Sequence, residues 1–119
     1  MATNSGIRRT FFNAFGQPVA SLSGRTLRKK VRASRHLLRQ PLAWAFDVSI
    51  LEAARQDGAQ VVEVVDTESR KIYQAPLIAF FLHGTRIDRG FGQQLALPLT
   101  FWRIETPGAR QLKLFEEAE

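Results

Sequence analysis

Val61-Val62-Glu63-Val64-Val65-Asp66-Thr67-Glu68-Ser69-Arg70-Lys71-Ile72-Tyr73-Gln74-Ala75 is the stretch from which the fold can be laid out. Val61 to Val65 is β-branched on both faces apart from one acid, and Lys71 to Ala75 has the composition of a partner strand. Between them, Asp66-Thr67-Glu68-Ser69 supplies short polar side chains that bond their own backbone and so favour a chain reversal. The pattern predicts a β-hairpin. Upstream, Asp47 stands where a helix N-cap would, ahead of Val48, Ile50, Leu51 and Ala54, and Gly58 is a stop, so a helix is expected over 48–57. Downstream, Pro76 opens the apolar run Leu77 to Leu82, which His83-Gly84 closes, as in a short helix with proline near its start. Thr85 to Gly92 reads as a polar, glycine-bearing loop, and Leu95 to Ile104 returns to strand composition.

Nearer the N-terminus, Phe11, Phe12 and Phe15 precede Gly16-Gln17-Pro18, Val19, Leu22 and Gly24, which predicts a strand, a turn and a second short strand. Thr26 to Ala33 alternates: Leu27, Val31 and Ala33 share one face of an extended chain with Lys29 interrupting them, while Arg28, Lys30 and Arg32 share the other. Leu27, Val31 and Leu38 also recur near a helical period, but the strand is the preferred reading. The order of elements predicts an α+β fold: one small domain, a mainly antiparallel sheet, one longer and one short helix on one face. The expected boundaries are a flexible N-terminus over 1–10, the domain over 11–105, and a linker with C-terminal tail over 106–119.

The 119 residues are 45% hydrophobic and 24% charged, the balance of a chain that builds a core. The absence of cysteine excludes a disulfide framework, thiolate metal sites and a thiol nucleophile together. The basic residues of Met1 to Arg9 have no apolar run of signal-peptide length behind them, and no stretch approaches the roughly 18 apolar residues of a membrane-spanning helix, so a cytoplasmic protein is expected.

Charge is sorted along the chain. Nine Lys or Arg residues precede the first acid, Asp47, so the net +6 is a +9 front on a −3 body. Such segregation points to a polyanionic partner. Arg25, Arg28, Lys29, Lys30, Arg32, Arg35 and Arg39 are the candidate phosphate contacts, because Arg grips phosphate through paired N–H donors and Lys acts as a point charge. No zinc-finger spacing, RNP aromatic motif or helix-turn-helix is visible, so binding should be salt-sensitive and indifferent to sequence. Phe11, Phe12, Phe15, Trp44 and Trp102 are candidate stacking platforms for unpaired bases, although core is the expected place for large aromatics in a chain this small.

In the tail, Gln111-Leu112-Lys113-Leu114-Phe115 resembles the Q-L-x-L-F peptide by which many bacterial DNA polymerases, repair enzymes and regulators dock on the DNA polymerase sliding clamp. The resemblance covers these five residues alone. It implies that Gln111, Leu112, Leu114 and Phe115 contact the clamp, apolar anchors filling a cleft while the Gln bonds its rim. Packing of the same residues as a last edge strand is the competing reading. Gln94-Leu95-Ala96-Leu97-Pro98-Leu99 also resembles a longer form of the peptide, but it lies inside the domain, where strand packing explains it better.

A magnesium nuclease would use carboxylates on neighbouring strands with a lysine close by, and Asp47, Glu63, Asp66, Glu68 and Lys71 are the residues to consider. The lysine expected two residues beyond the strand acid would fall at Val65, and Asp66 and Glu68 suit a turn. His36 and His83 stand alone, and the glycines of 84–92 lack the Lys-Ser of a phosphate loop. No catalytic residue, cofactor or metal is therefore assigned. The expectation is a non-enzymatic nucleic-acid accessory protein, with an interaction subunit second and a nuclease third.

Overall fold

The computed structural model describes residues 8–32, 42–88, 90 and 92–105, with the backbone alone at 42 and 43. Strand β1 (Arg8–Phe12) turns into β2 (Pro18–Ser23), and β3 (Thr26–Val31) follows. Then come β4 (Leu42–Asp47), helix α1 (Val48–Gln56), the hairpin β5 (Val61–Asp66) and β6 (Lys71–Pro76), and helix α2 (Leu77–His83). Strands β7 (Thr85–Asp88), β8 (Gln93–Pro98) and β9 (Arg103–Glu105) follow, with a 3₁₀ turn at Leu99–Phe101 between the last two.

The expected α+β class holds, with two sheets where one was expected. A six-stranded sheet runs β1-β2-β3-β5-β6-β9, and a three-stranded sheet runs β4-β8-β7. Among the described residues, all pairings are antiparallel except β3 with β5. The hairpin forms as read: Asp66 Oδ1 accepts from the backbone N–H of Glu68 and Ser69, the local side-chain bonding that makes this residue a turn former. Helix α1 also forms where expected and buries Ile50, Leu51 and Ala54. Asp47 occupies its N-cap position in extended conformation but makes no capping bond; its carboxylate instead accepts from Gln94 Nε2 at 2.8 Å. Gly58, at φ 95°, ends that helix in a conformation L side chains rarely adopt.

The core lies on one face of the large sheet, where Leu22, Leu27, Val62, Val64 and Ala75 meet α1, α2 and the small sheet. Aromatic edges join these layers: Trp44 on Tyr73 at 5.2 Å, Phe46 on Phe80 at 5.7 Å and Phe80 on Trp102 at 5.6 Å between ring centroids. Trp102 Nε1 donates to the Leu97 carbonyl. Gln94 to Leu99, which resembles the longer clamp peptide, is thus mostly the middle strand of the small sheet, with Leu95 and Leu97 buried.

Three local readings differ from the structure. The 85–92 loop contains β7, and the continuous strand over 95–104 is broken at Leu99–Phe101, immediately after Pro98, which has no N–H to donate to a ladder. The first strand begins at Arg8, inside the stretch read as a flexible end. Among the described residues, no helix is long and apolar enough to cross a membrane.

Candidate nucleic-acid interface

Strand alternation and register place the polar residues of the large sheet on the face away from the core. One row crosses six strands: Thr10 opposite Ser21, Ser21 opposite Arg28, Arg28 opposite Glu63, Glu63 opposite Gln74 and Gln74 opposite Arg103. A second runs Arg8, Ser23, Thr26. Lys30 lies on the same face opposite Val65. Val65 and Ile72 form a small, fully buried cluster of their own there.

The five described candidates do not act alike. Lys30, on the polar face, and Arg32, one residue past the end of β3, are both exposed. Arg25 is exposed in the β2–β3 turn, where its carbonyl accepts from the N–H of Gln60 and Val61. Arg28 is an ion-pair partner: its Nε donates to Glu63 Oε1 at 2.6 Å, and Gln74 Nε2 donates to Glu63 Oε2 at 2.8 Å. Both oxygens of this buried carboxylate are thereby engaged, and the Arg28 charge is matched locally.

Lys29 faces the other way, as the alternation requires. Its half-buried ammonium sits 4.9 Å from the Phe46 ring centroid and donates to the Ala45 carbonyl at 2.5 Å, so desolvation is offset by a π face and a backbone oxygen. Arg35, Arg39, and the tail residues Gln111, Leu112, Leu114 and Phe115 lie outside the described residues. Two cations that were not among the candidates join the polar face, exposed Arg8 and Arg103, the latter paired with Glu105 at 3.5 Å and so matched locally. Arg8 was legible: Arg8 and Thr10 alternate with buried Phe11 once β1 is started early enough. Arg103 carried no such signal, because β9 is three residues long.

Of the aromatic candidates, Phe11, Trp44 and Trp102 are core, whereas Phe12 is 57% and Phe15 74% exposed at the tip of the β1–β2 hairpin. A bulge between Phe11 and Phe12 sets Phe12 opposite Pro18, which alternates in step with inward-facing Ala20 and Leu22 on β2. The carboxylates weighed as a nuclease site diverge, since Glu63 and Asp66 lie on opposite faces of β5. Among the described residues, no three His, Asp or Glu side chains are grouped to hold a metal.

Strands β2 and β3 pair only from Ser21 opposite Arg28 to Ser23 opposite Thr26. Beyond that, β2 stays with β1 and β3 with β5, so the sheet forks. A cleft of about 680 Å³ opens at the fork on the core side, between the β1–β2 hairpin tip, the β4–α1 junction and the start of β8. A shallower depression of about 230 Å³, lined by Arg28 and Lys30, shares Val19, Ala20 and Lys29 with it. No family model, no curated protein and no solved structure matches the chain.

Proposed function

We propose that this is a small, non-enzymatic accessory protein that lies on the phosphate backbone of nucleic acid through the polar face of its large sheet. The observation that supports it best is the exposure of Lys30 on the same face as Arg8, with exposed Arg32 just past the end of β3, within a segment holding nine cations before its first acid. With Arg28 matched by Glu63 and Lys29 turned inward, the contacts among the described residues are Arg8, Arg25, Lys30 and Arg32. Four phosphate contacts on duplex DNA correspond to a slope of roughly −3 to −4 in log K against log salt. Titration of unrelated duplexes at several salt concentrations tests this. Lys30→Glu with Arg32→Glu should flatten the slope by about 2, and absence of binding at low salt would overturn the reading.

The tail adds a recruitment step to the proposal. A clamp-docking peptide at Gln111 to Phe115, tethered to a weak cationic surface, would raise affinity through effective concentration at a clamp already on DNA. Leu114→Ala with Phe115→Ala should abolish clamp pull-down without moving the melting temperature. A second reading, an interaction subunit, draws on the exposed Ile78, Leu82 and Phe101 around α2. Sedimentation at rising concentration, with Leu82→Lys as control, tests for self-association through them.

A further inference from the structure

We infer that the cleft at the β2–β3 fork receives an unpaired base of single-stranded nucleic acid, a reading that rests on the backbone contact proposed above and narrows its substrate. The cleft has the size for a nucleotide-sized group and a mixed lining that includes Phe12, Val19, Lys29, Asp47, Glu52 and Gln94. Its titratable lining residues are one ammonium, Lys29, and two carboxylates, Asp47 and Glu52. That balance repels phosphate and leaves room for a neutral group. Lys30, one of the cations proposed for phosphate, instead lines the depression across the fork, which shares Val19, Ala20 and Lys29 with the cleft.

A nucleobase fits both requirements. It is flat, and the cleft carries the exposed ring of Phe12, the type of platform on which bases stack whatever their sequence. Its edge presents donors beside acceptors. Lys29 is donor-only, and Asp47, one of whose oxygens takes the Gln94 amide, keeps acceptor capacity because a carboxylate offers about four lone-pair sites. Asn13, although at the cleft, is committed to its own turn, accepting from the N–H of Phe15 and Gln17 and donating to Gln17 Oε1. A duplex buries its bases in the stack and offers none to the cleft, so single strands are the substrate.

The test compares fluorescence anisotropy for a thymidine oligonucleotide of about twelve residues with an abasic strand of the same length and phosphate number. The full-length protein should bind the thymidine strand roughly tenfold more tightly, and Phe12→Ala should erase most of that ratio. Phe12 is exposed, so its truncation leaves the fold in place, which an unchanged melting temperature verifies; Asp47→Asn is the second variant and should lower the ratio as well. Equal binding of the two strands overturns the base pocket while leaving the phosphate reading intact. A ratio that survives both substitutions overturns this cleft as the pocket. Failure of both strands to bind at low salt overturns the underlying reading as well.

Discussion

Replacing Arg28 with methionine keeps the length of an apolar stem but strands the Glu63 carboxylate. That side chain is 6% exposed and would keep only the Gln74 amide of its two protein donors. Breaking a fully buried pair in this way costs about 3 to 5 kcal/mol. The Arg28 side chain is 33% exposed, so water already screens the pair, and the cost should fall to about 2 to 3 kcal/mol. At roughly 4 °C per kcal/mol for a domain of this size, the midpoint drops by about 10 °C. Glu63→Gln removes the buried charge and lets Arg28 turn to water, at about 1 kcal/mol. The double variant should cost less than the two singles together by about 1 kcal/mol or more.

Urea denaturation followed by tryptophan emission measures all three, because Trp44 and Trp102 are both buried. A loss below about 0.5 kcal/mol in Arg28→Met would place the pair among ordinary surface ion pairs and refute its structural role. Additivity of the single costs would refute the coupling. The same variant also separates structure from binding: Arg28→Met should leave the salt slope on DNA nearly unchanged, whereas Lys30→Glu flattens it at constant stability.

Burial pushes the phenol of Tyr73 above its usual 10.0, and the Asp66 carboxylate adds to the rise, so the unfolded chain loses this proton first. Its stabilisation is complete below pH 10 and is lost as pH climbs beyond; because Tyr73 is the single tyrosine, absorbance near 295 nm should report tyrosinate together with unfolding, and Tyr73→Phe should soften that alkaline limb. Gly84→Ala would press a Cβ into the Phe80 carbonyl at the end of α2, costing about 1 to 3 kcal/mol by urea denaturation, since the obstacle is backbone. Arg70 holds a left-handed φ of 60° in the hairpin turn, and Arg70→Gly should be neutral or stabilising by up to about 1 kcal/mol; a clear loss would show that its side chain, not its backbone, matters.

The elements with strong local signals were legible. The β5–β6 hairpin, α1 and α2 follow from β-branched runs, turn side chains and apolar spacing, and each lies within a residue or so of its expected bounds. The division into two sheets was not, because pairing depends on contacts between residues distant in sequence. Nor was β7, a polar strand that among the described residues pairs with β8 alone and so needs no apolar alternation. On β3, alternation along Thr26–Val31 anticipated that Arg28 and Lys30 share a face and that Lys29 turns inward. It could not anticipate that a carboxylate from β5 would arrive beside Arg28, since parallel register leaves no trace in either strand alone.

That register decides how the segregated charge is felt. The basic front and the acidic body meet along β3 and β5, where Arg28 faces Glu63, Lys30 faces Val65 and Val31 faces Asp66. The exposed cation of that pairing opposite an apolar neighbour keeps its field toward solvent, while the cation opposite an acid becomes part of the frame. Because Asp66 turns to the core side and spends Oδ1 on its own turn, it does not neutralise Lys30 on the outer face. The same parallel pairing draws β3 away from β2 past Ser21 and opens the fork. One structural choice, β3 beside β5 in parallel, thus accompanies the Arg28–Glu63 ion pair, the exposed Lys30 and the cleft at the fork. A substitution that weakens β3–β5 packing without touching charge, such as Val62→Ala in the core, should therefore lower stability by about 1 to 3 kcal/mol and reduce single-strand affinity together. Loss of stability with affinity unchanged would show that the binding surface is built independently of this strand pair.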